Sequence, residues 1–564
     1  MPTLSPLDPA RLRRHIVGVD AVLETPYGER LMVYGDYTAS GRCLDFIEHY
    51  LMRLQRNYAN THTEDDSTGR SMTFLLHEAE GVIKRAVNAG PEGRIIAVGC
   101  GSTAAIDKFQ QLVGVMIPPA TRQLLASLPG GLSAALAARQ PVVLVGPYEH
   151  HSNEVSWRQG LATVLEVRLD ARGDIDLSHL EELLTRPEHQ GRLCIGSFSA
   201  ASNVTGRVSR VREIAVLLHR HGALACFDYA ASAPYVAIDM NPAPAAAGED
   251  PSLDAVFISP HKFLGGPGSS GVLVFNRRVY HEELPPSVAG GGTVSYVSPG
   301  AHDFVGDIEE RERAGTPGVL QTMKAALAFL VKEGVGVERI AERERELLER
   351  ALASWRRNPN LELLGNPDPA RQIGIVSFNV RRPQGRYLHP RLVTVLLNDL
   401  FGIQSRAGCS CAGPYGHALL GIDAPASERY RRCVLDGWQG VKPGWCRVGF
   451  HYTMDDPEAD FLIDAVDFVA RRGWDFLGDY LFDPHSAAWS HRAVGPGQEE
   501  FSLEQALRCG CPEQGCLDAD ARQRLYREHL AQAGRLADER ASRPAVLVEL
   551  PDEAGALQFF DIPS

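Results

Sequence analysis

The residue run Ser259-Pro260-His261-Lys262 follows the short apolar stretch Ala255–Ile258 and leads into Gly265-Gly266-Pro267-Gly268. A lysine at the end of a buried strand is desolvated, which lowers its pKa and makes its amine a usable nucleophile toward an aldehyde cofactor. Taken alone, it also reads as a solvated loop lysine. Asp228 closes a second apolar run, Ala223–Phe227. A carboxylate there can pair with a protonated pyridine nitrogen, or serve as a turn residue or cap. Gly101-Ser102-Thr103 opens a helical stretch after the run Arg94–Val98. It offers free backbone N–H groups and two hydroxyls to a phosphate, or a plain N-cap; no Gly-Lys-Ser/Thr follows, so it is no P-loop. In Glu149-His150-His151-Ser152-Asn153, a flat imidazole can stack on an aromatic cofactor ring or lie solvated in a loop. The adjacent histidines lack a second ligand pair at suitable spacing, so no metal site is expected. The glycines of 265–271 lack the helix and acidic residue of a dinucleotide fingerprint.

These residues need elements to carry them. The pattern predicts strands at Arg94–Val98, Pro141–Val145, Leu193–Ser197, Ala223–Phe227, Ala255–Ile258 and Gly271–Phe275, with helices at Ala104–Val113 and Val211–His221. Such alternation predicts an α/β unit with a mainly parallel sheet, whose ligands gather at the strand C-terminal ends. The candidate residues all fall at those ends. A long helix over Thr322–Arg356 is expected to lead to a second domain, with strands at Gly374–Val380 and Trp445–Phe450 and a helix at Pro390–Leu400. Ala519–Ala541 reads as a charged helix followed by a polar tail. The expected division is an arm over 1–30, a large domain over 31–320, a smaller α+β domain over 321–484 and an extension over 485–564.

The chain has 564 residues, 44% apolar and 23% charged, with a net charge of -13. This is ordinary globular composition, and the acidic balance argues against nucleic acid as a partner. No apolar run is long enough for a transmembrane helix, and Met1–Asp20 lacks the apolar core of a secretory signal. A cytoplasmic location and no membrane partner are therefore expected. Eleven cysteines are too few for a disulfide scaffold; Cys43, Cys194, Cys226 and Cys433 lie among apolar neighbours and read as packing thiols.

In order along the chain, these pieces resemble the class V aminotransferase group of pyridoxal-phosphate enzymes, especially cysteine desulfurases and selenocysteine lyases. The resemblance covers roughly 31–475 and rests on short motifs: 34–40 (YGDYTAS), 60–62 (NTH), 101–103, 149–153, 202–206 (SNVTG), 228–230 (DYA), 259–262, 314–317 (AGTP) and 406–414 (RAGCSCAGP). It implies the aspartate-aminotransferase-like fold and pyridoxal 5'-phosphate as cofactor. Lys262 would hold the cofactor and move the substrate α-proton. Asp228 would keep the pyridine nitrogen protonated, His150 would stack on the ring and Asn203 would sit beside the ring oxygen. Ser102, Thr103, Ser259 and His261 would hold the phosphate. Thr316 would reach the phosphate of a neighbouring subunit, implying a homodimer. Arg447 would clamp the carboxylate of the amino-acid substrate, a bidentate task suited to a planar guanidinium, with Asn60 and His62 also near the substrate. One departure stands out: the family usually has Gln or His three residues after the ring aspartate, and here that position is Ala231. Asn203 or Ser232 is the candidate replacement.

Cys411 falls on the persulfide-forming position of the resembling loop, and Cys409 falls where the pattern commonly has histidine. Desulfuration needs a thiolate at the γ-sulfur of bound cysteine, and a nearby arginine lowers a thiol's pKa. The resemblance thus implies a cysteine desulfurase that releases alanine, leaves a persulfide on Cys411 and passes sulfur to an acceptor protein. The alternative is amino transfer or C–S lyase chemistry on another amino acid, with Cys411 a packing thiol. A Cys409–Cys411 redox pair would need special geometry. Cys509, Cys511 and Cys516 lie outside the resemblance and read as surface or packing thiols, or as a sulfur-accepting or metal-binding group without a clear fourth ligand.

Overall fold

The computed structural model describes residues 7–61, 63–128, 139–382, 385–493 and 517–564. The chain divides into two compact units. The first holds 38–341 with residues 7 and 8, and the second holds 9–37 together with 342–564. This grouping differs from the boundaries expected above. The segment 9–37 belongs with the second unit, as does the described part of the C-terminal extension.

The first unit is built on a seven-stranded sheet. Its strands are β1 (Gly93–Val98), β2 (Val142–Val145), β3 (Thr163–Glu166), β4 (Cys194–Ser199), β5 (Leu224–Asp228), β6 (Ala255–Ile258) and β7 (Gly271–Asn276). Their spatial order is β1-β7-β6-β5-β4-β2-β3. The pairs β2/β3, β2/β4, β4/β5 and β5/β6 are parallel, and β7 runs antiparallel to both β1 and β6. Six strands lie within a residue or two of their expected places. β3 escaped the sequence reading because Thr163–Glu166 is only half-buried and has no full apolar run. The central strands are buried throughout, as the continuous apolar runs of β2 and β6 require for a sheet covered on both faces. One covering layer includes α2 (Ser102–Leu112), whose Ala105, Ile106 and Phe109 pack with Ile96, Val143, Phe257 and Leu273. Helix α1 (Ser67–Ala86) precedes β1, with Asp66 capping Thr68 and Gly69.

The long helix expected over Thr322–Arg356 is two helices, α3 (Val319–Val335) and α4 (Val337–Trp355). Gly336 between them has φ +90°, a left-handed conformation that interrupts an α-helix and suits glycine.

The second unit carries an antiparallel sheet of β8 (Leu361–Leu363), β9 (Ile375–Val380), β10 (Arg406–Gly408) and β11 (Trp445–Gly449), in the order β8-β9-β11-β10. Helices α5 (Pro390–Phe401), α6 (Asp456–Arg472) and α7 (Ala519–Ala541) pack into the same core. That core also takes Leu31 and Val33 from the N-terminal segment. Val33–Tyr34 pairs in parallel with Ile403–Gln404 rather than joining the large sheet.

The extension is structural. Tyr526 of α7 stacks on Phe461 at 4.3 Å, Ala533 and Ala537 are fully buried, and Phe560 and Ile562 enter the core from what the sequence presented as a polar tail. Arg522 pairs with Asp455 and Asp20, and Arg13 bridges Asp20, Asp455 and Glu458. Replacing Tyr526 by Ala removes a buried aromatic stack and is expected to cost about 3 kcal/mol in a urea titration.

His389 gives a second measurable consequence. Its Nδ1 accepts the Arg391 N–H at the start of α5, and its Nε2 faces the Gly440 carbonyl oxygen at 3.2 Å. A neutral ring with its proton on Nε2 satisfies both, and burial pushes the pKa from 6.5 down to about 3. Between those values the unfolded chain binds the extra proton. The stability due to neutral His389 is therefore full above pH 6.5 and is lost as pH falls toward 3. The melting temperature should drop between about pH 7 and about pH 4.5, and His389→Asn, a capping residue that does not titrate, should lessen the drop.

Candidate functional site

In the first unit, the C-terminal ends of β1, β2, β4, β5 and β6 bring the sequence-singled residues together. After β1, Gly101 caps α2, and the Ser102 N–H donates to the Ser259 Oγ at 2.8 Å. A Cβ on Gly101 would stand 3.1 Å from the Ser259 Oγ and 3.3 Å from the His261 Nε2, so both side chains converge on the helix start. The antiparallel β7 begins beside them. A Cβ at Gly271 would lie 2.4 Å from the Gly101 carbonyl oxygen, and only glycine allows that approach. Burial and the Lys262 charge push His261 down to about 4, so its imidazole is neutral near pH 7.

Lys262 follows β6 in a short turn, its N–H donating to the Ser259 carbonyl oxygen. The Gly41 N–H and Ser40 Oγ donate to the His261 carbonyl oxygen at 2.9 and 3.3 Å, and the Gly265 N–H donates to the Arg42 carbonyl oxygen. The lysine loop is thereby tied down on both sides.

Asp228 ends β5, paired in register with Ser199 of β4. The Ala230 N–H donates to its Oδ1 at 2.8 Å. Burial raises its pKa, against the Ala230 N–H, the Lys262 charge and the Ser102 hydroxyl, which lower it. A buried carboxylate in this setting favours a cationic partner. Three residues on, Ala231 is buried, and next to it the Ser232 hydroxyl is buried with no hydrogen-bond partner among the described residues.

His150 follows β2. Its Nδ1 accepts the Ser152 N–H at 3.2 Å, which leaves the proton of the neutral ring on Nε2. The Ser152 Oγ lies 2.7 Å from the Thr103 Oγ1, linking the histidine loop to the helix start. Behind them is a buried network that the motif reading did not resolve. Glu149 accepts the Ser199 N–H and Oγ and the Asn153 Nδ2, and burial raises its pKa to about 7. Asn203 stands in a turn after β4, in which the Ser202 Oγ accepts the N–H groups of Val204 and Thr205. The Asn60 Nδ2 donates to the Thr316 Oγ1 at 3.1 Å, both residues being exposed. His62 lies outside the described residues, as do Cys509, Cys511 and Cys516.

The second unit holds a separate cluster. Gly35 donates to the Gln404 carbonyl oxygen and accepts the Gly449 N–H, which places Asp36 beside the sheet. Arg406 and Arg447 are directly opposed across β10 and β11. The two Asp36 oxygens take one each: Oδ2 lies 3.0 Å from the Arg406 Nε, and Oδ1 lies 3.0 Å from an Arg447 amine. Burial pulls the Arg447 pKa down, and Asp36 opposes this. Two guanidinium groups share one carboxylate, so the cluster has a surplus positive charge suited to a second carboxylate. Asp36 was present in the motif 34–40, but only the tertiary pairing reveals its task. Cys409 is half-buried and Cys411 exposed, in the turn that follows β10. Among the described residues no group of His, Cys, Asp and Glu could hold a metal ion.

The sequence profile named Aminotransferase class-V matches residues 33–462. The chain belongs to that family. A probable cysteine desulfurase of Halalkalibacterium halodurans is 30% identical over 417 residues, spanning 72% of this chain and 90% of the relative. One from Staphylococcus epidermidis is 27% identical over 418 residues, with the same coverage. Among solved structures, the apo cysteine desulfurase of Thermococcus onnurineus superposes with a TM-score of 0.63 at 20% identity, over 83% of this chain and 99% of the other. The Escherichia coli cysteine desulfurase CsdA gives 0.60 at 20% identity, over 82% and 99%. The class V aminotransferase fold is that of pyridoxal-phosphate enzymes, in agreement with the large, mainly parallel sheet. The match ends at residue 462, so α7 and the strands after it are additions to the shared fold.

Replacing Asp36 by Ala leaves the buried Arg447 guanidinium without its carboxylate. The expected cost is about 3 kcal/mol, read as a lowered urea midpoint. Arg406→Ala, which removes a half-exposed partner, should change the midpoint far less.

Proposed function

We propose that this class V aminotransferase is a pyridoxal-phosphate-dependent cysteine desulfurase that acts as a homodimer in the cytosol. The first-unit site fits the cofactor by the chemistry of its donors. A neutral imidazole and hydroxyls converge on a helix start, a buried carboxylate ends the central strand, and a tethered lysine ends the next. Ser102, Thr103, Ser259 and His261 would hold the phosphate, Asp228 the protonated pyridine nitrogen, His150 one ring face and Asn203 the ring oxygen. When bound, the cofactor supplies an electron sink for negative charge at the substrate α-carbon.

The chain's own groups supply the rest. Arg447, with Asp36 fixing its plane, binds the carboxylate of the incoming cysteine. Lys262 removes the proton from the substrate α-carbon and returns it later. The Cys411 thiolate attacks the substrate γ-sulfur, so that an S–S bond forms as the Cβ–S bond breaks. Protonation of the carbon fragment gives alanine, and the enzyme keeps one sulfur as a persulfide for an acceptor protein. The observation that carries this reading is Cys411 itself, a free, exposed thiol in the turn that follows the strand bearing Arg406. Five other described cysteines have pKa values raised by burial and suit packing instead.

The location rests on the cysteines and the absence of a span. All eight described cysteines are free, and no described helix is long and apolar enough to cross a membrane. The exposed Asn60–Thr316 pair supports the dimer reading, with Thr316 presented to a second subunit.

Ala231 favours a second reading, a C–S lyase or aminotransferase, since the usual hydrogen-bonding side chain beside the cofactor is missing. Cofactor-loaded protein mixed with L-cysteine separates the two. Alanine with a protein persulfide, both lost in Cys411→Ala, is the expected result. Pyruvate, ammonia and sulfide, unchanged in that variant, would establish a lyase instead. Lys262→Ala should abolish turnover in either case, with a loss of at least about a thousandfold.

A further inference from the structure

Cys409, Ser410, Cys411 and Ala412 form one tight turn. The Ala412 N–H donates to the Cys409 carbonyl oxygen at 3.0 Å. Ser410 and Cys411 have φ +49° and +55°. Two consecutive left-handed residues closed by that hydrogen bond make a type I' turn, a conformation normally left to glycine and asparagine. Helix 413–419 anchors the turn from behind, with Ala412 and Tyr415 buried. The two thiols are therefore the first and third residues of a single fixed turn. They differ in one respect: Cys411 is exposed and Cys409 is half-buried.

We infer that Cys409 is a second sulfur-carrying residue that takes the sulfane sulfur from Cys411 and shelters it. This rests on the desulfurase reading for the origin of the sulfur. Residues two apart keep their Cα atoms within about 7 Å even in an extended chain, and a turn brings them closer. A persulfide lengthens the Cys411 side chain by one S–S bond, about 2 Å. The terminal sulfur thus comes within reach of a neighbouring thiol without the strained ring that a direct Cys409–Cys411 disulfide requires. The step balances without an oxidant. The Cys409 thiolate attacks the terminal sulfur, a new S–S bond forms, the old one breaks, and Cys411 leaves as a thiolate. One sulfane sulfur moves, one proton follows it, and the exposed thiol is free for another substrate. Placed deeper, the sulfur is less open to solvent reductants until an acceptor draws it out.

The test loads the holoenzyme in two ways, with L-cysteine and with inorganic polysulfide, followed by alkylation and fragmentation of the tryptic peptide 407–429. In the unmodified enzyme, sulfane sulfur should appear on both cysteines. Cys411→Ser should load neither position with either donor, because Cys409 is filled through Cys411. Cys409→Ser should load Cys411 alone and lose its sulfur to dithiothreitol several-fold faster. Circular dichroism and the urea midpoint of each variant check that the turn substitutions leave the fold intact. Sulfur found on Cys411 alone in the unmodified enzyme, with the same decay in Cys409→Ser, would overturn the inference. So would release of sulfide with a Cys409–Cys411 disulfide. If polysulfide loads both residues through Cys411 and L-cysteine loads none, the relay stands and the desulfurase reading fails. If L-cysteine loads Cys411 only, the desulfurase reading stands and the relay fails.

Discussion

A carboxylate buried at the end of the central strand is the constraint around which the first unit is arranged. Asp228 sits between β4 and β6, away from water, where its charge is stable only if a cation or directed donors meet it. The Ala230 N–H and the nearby Lys262 meet part of that need. The rest of the unit follows from keeping this point dry and pointed. Buried strands wall it in, the antiparallel β7 seats Gly271 against Gly101, and the 40–42 segment holds the lysine loop by main-chain bonds. In the proposed enzyme, a protonated ring nitrogen would supply the cation that a carboxylate so placed favours.

The second unit solves the opposite problem, a buried cation. Arg447 is almost fully enclosed, and one carboxylate serves both it and Arg406. Register does the placing. Because β10 and β11 set the two arginines directly opposite, and Gly35 is fixed between Gln404 and Gly449, Asp36 reaches both without a flexible search. The surplus charge is then built into the sheet. The turn that carries Cys409 and Cys411 follows β10, the strand that bears Arg406, and its backbone is closed by the Ala412 N–H on the Cys409 carbonyl oxygen. Around this sheet the added C-terminal segment supplies core rather than decoration, since Tyr526, Ala533, Ala537, Phe560 and Ile562 are buried in it.

Much of this was written in local pattern. Six strands of the large sheet, the helix 519–541 and the strand-end positions of Ser102, Asp228 and Lys262 follow from apolar runs stopped by Gly, Asp or Ser, because local sequence controls where a strand or helix can begin and end. The motif order carries the family, and with it the roles expected of His150, Asn203, Thr316 and Arg447. The motif also singled out Cys411, which the fold leaves free and exposed. The missing partner at Ala231 was also legible, as a departure from that pattern.

Tertiary structure decided what no local window holds. The strand β3 needed its parallel neighbour β2, since its own half-polar sequence carries little signal. The segment 9–37 joined the second unit because Val33 pairs with Ile403, a contact 370 residues away in sequence. The helix break at Gly336 and the burial of the apparently polar tail depended on distant packing. So did the Glu149–Asn153–Ser199 network and the double service of Asp36, whose donors come from separate strands and loops. Sequence determines which residues can do chemistry and roughly which element bears them. Which of them share a charge, a proton or a turn depends on long-range pairing, because hydrogen bonds and desolvation act between atoms that only the folded chain brings within 3 Å.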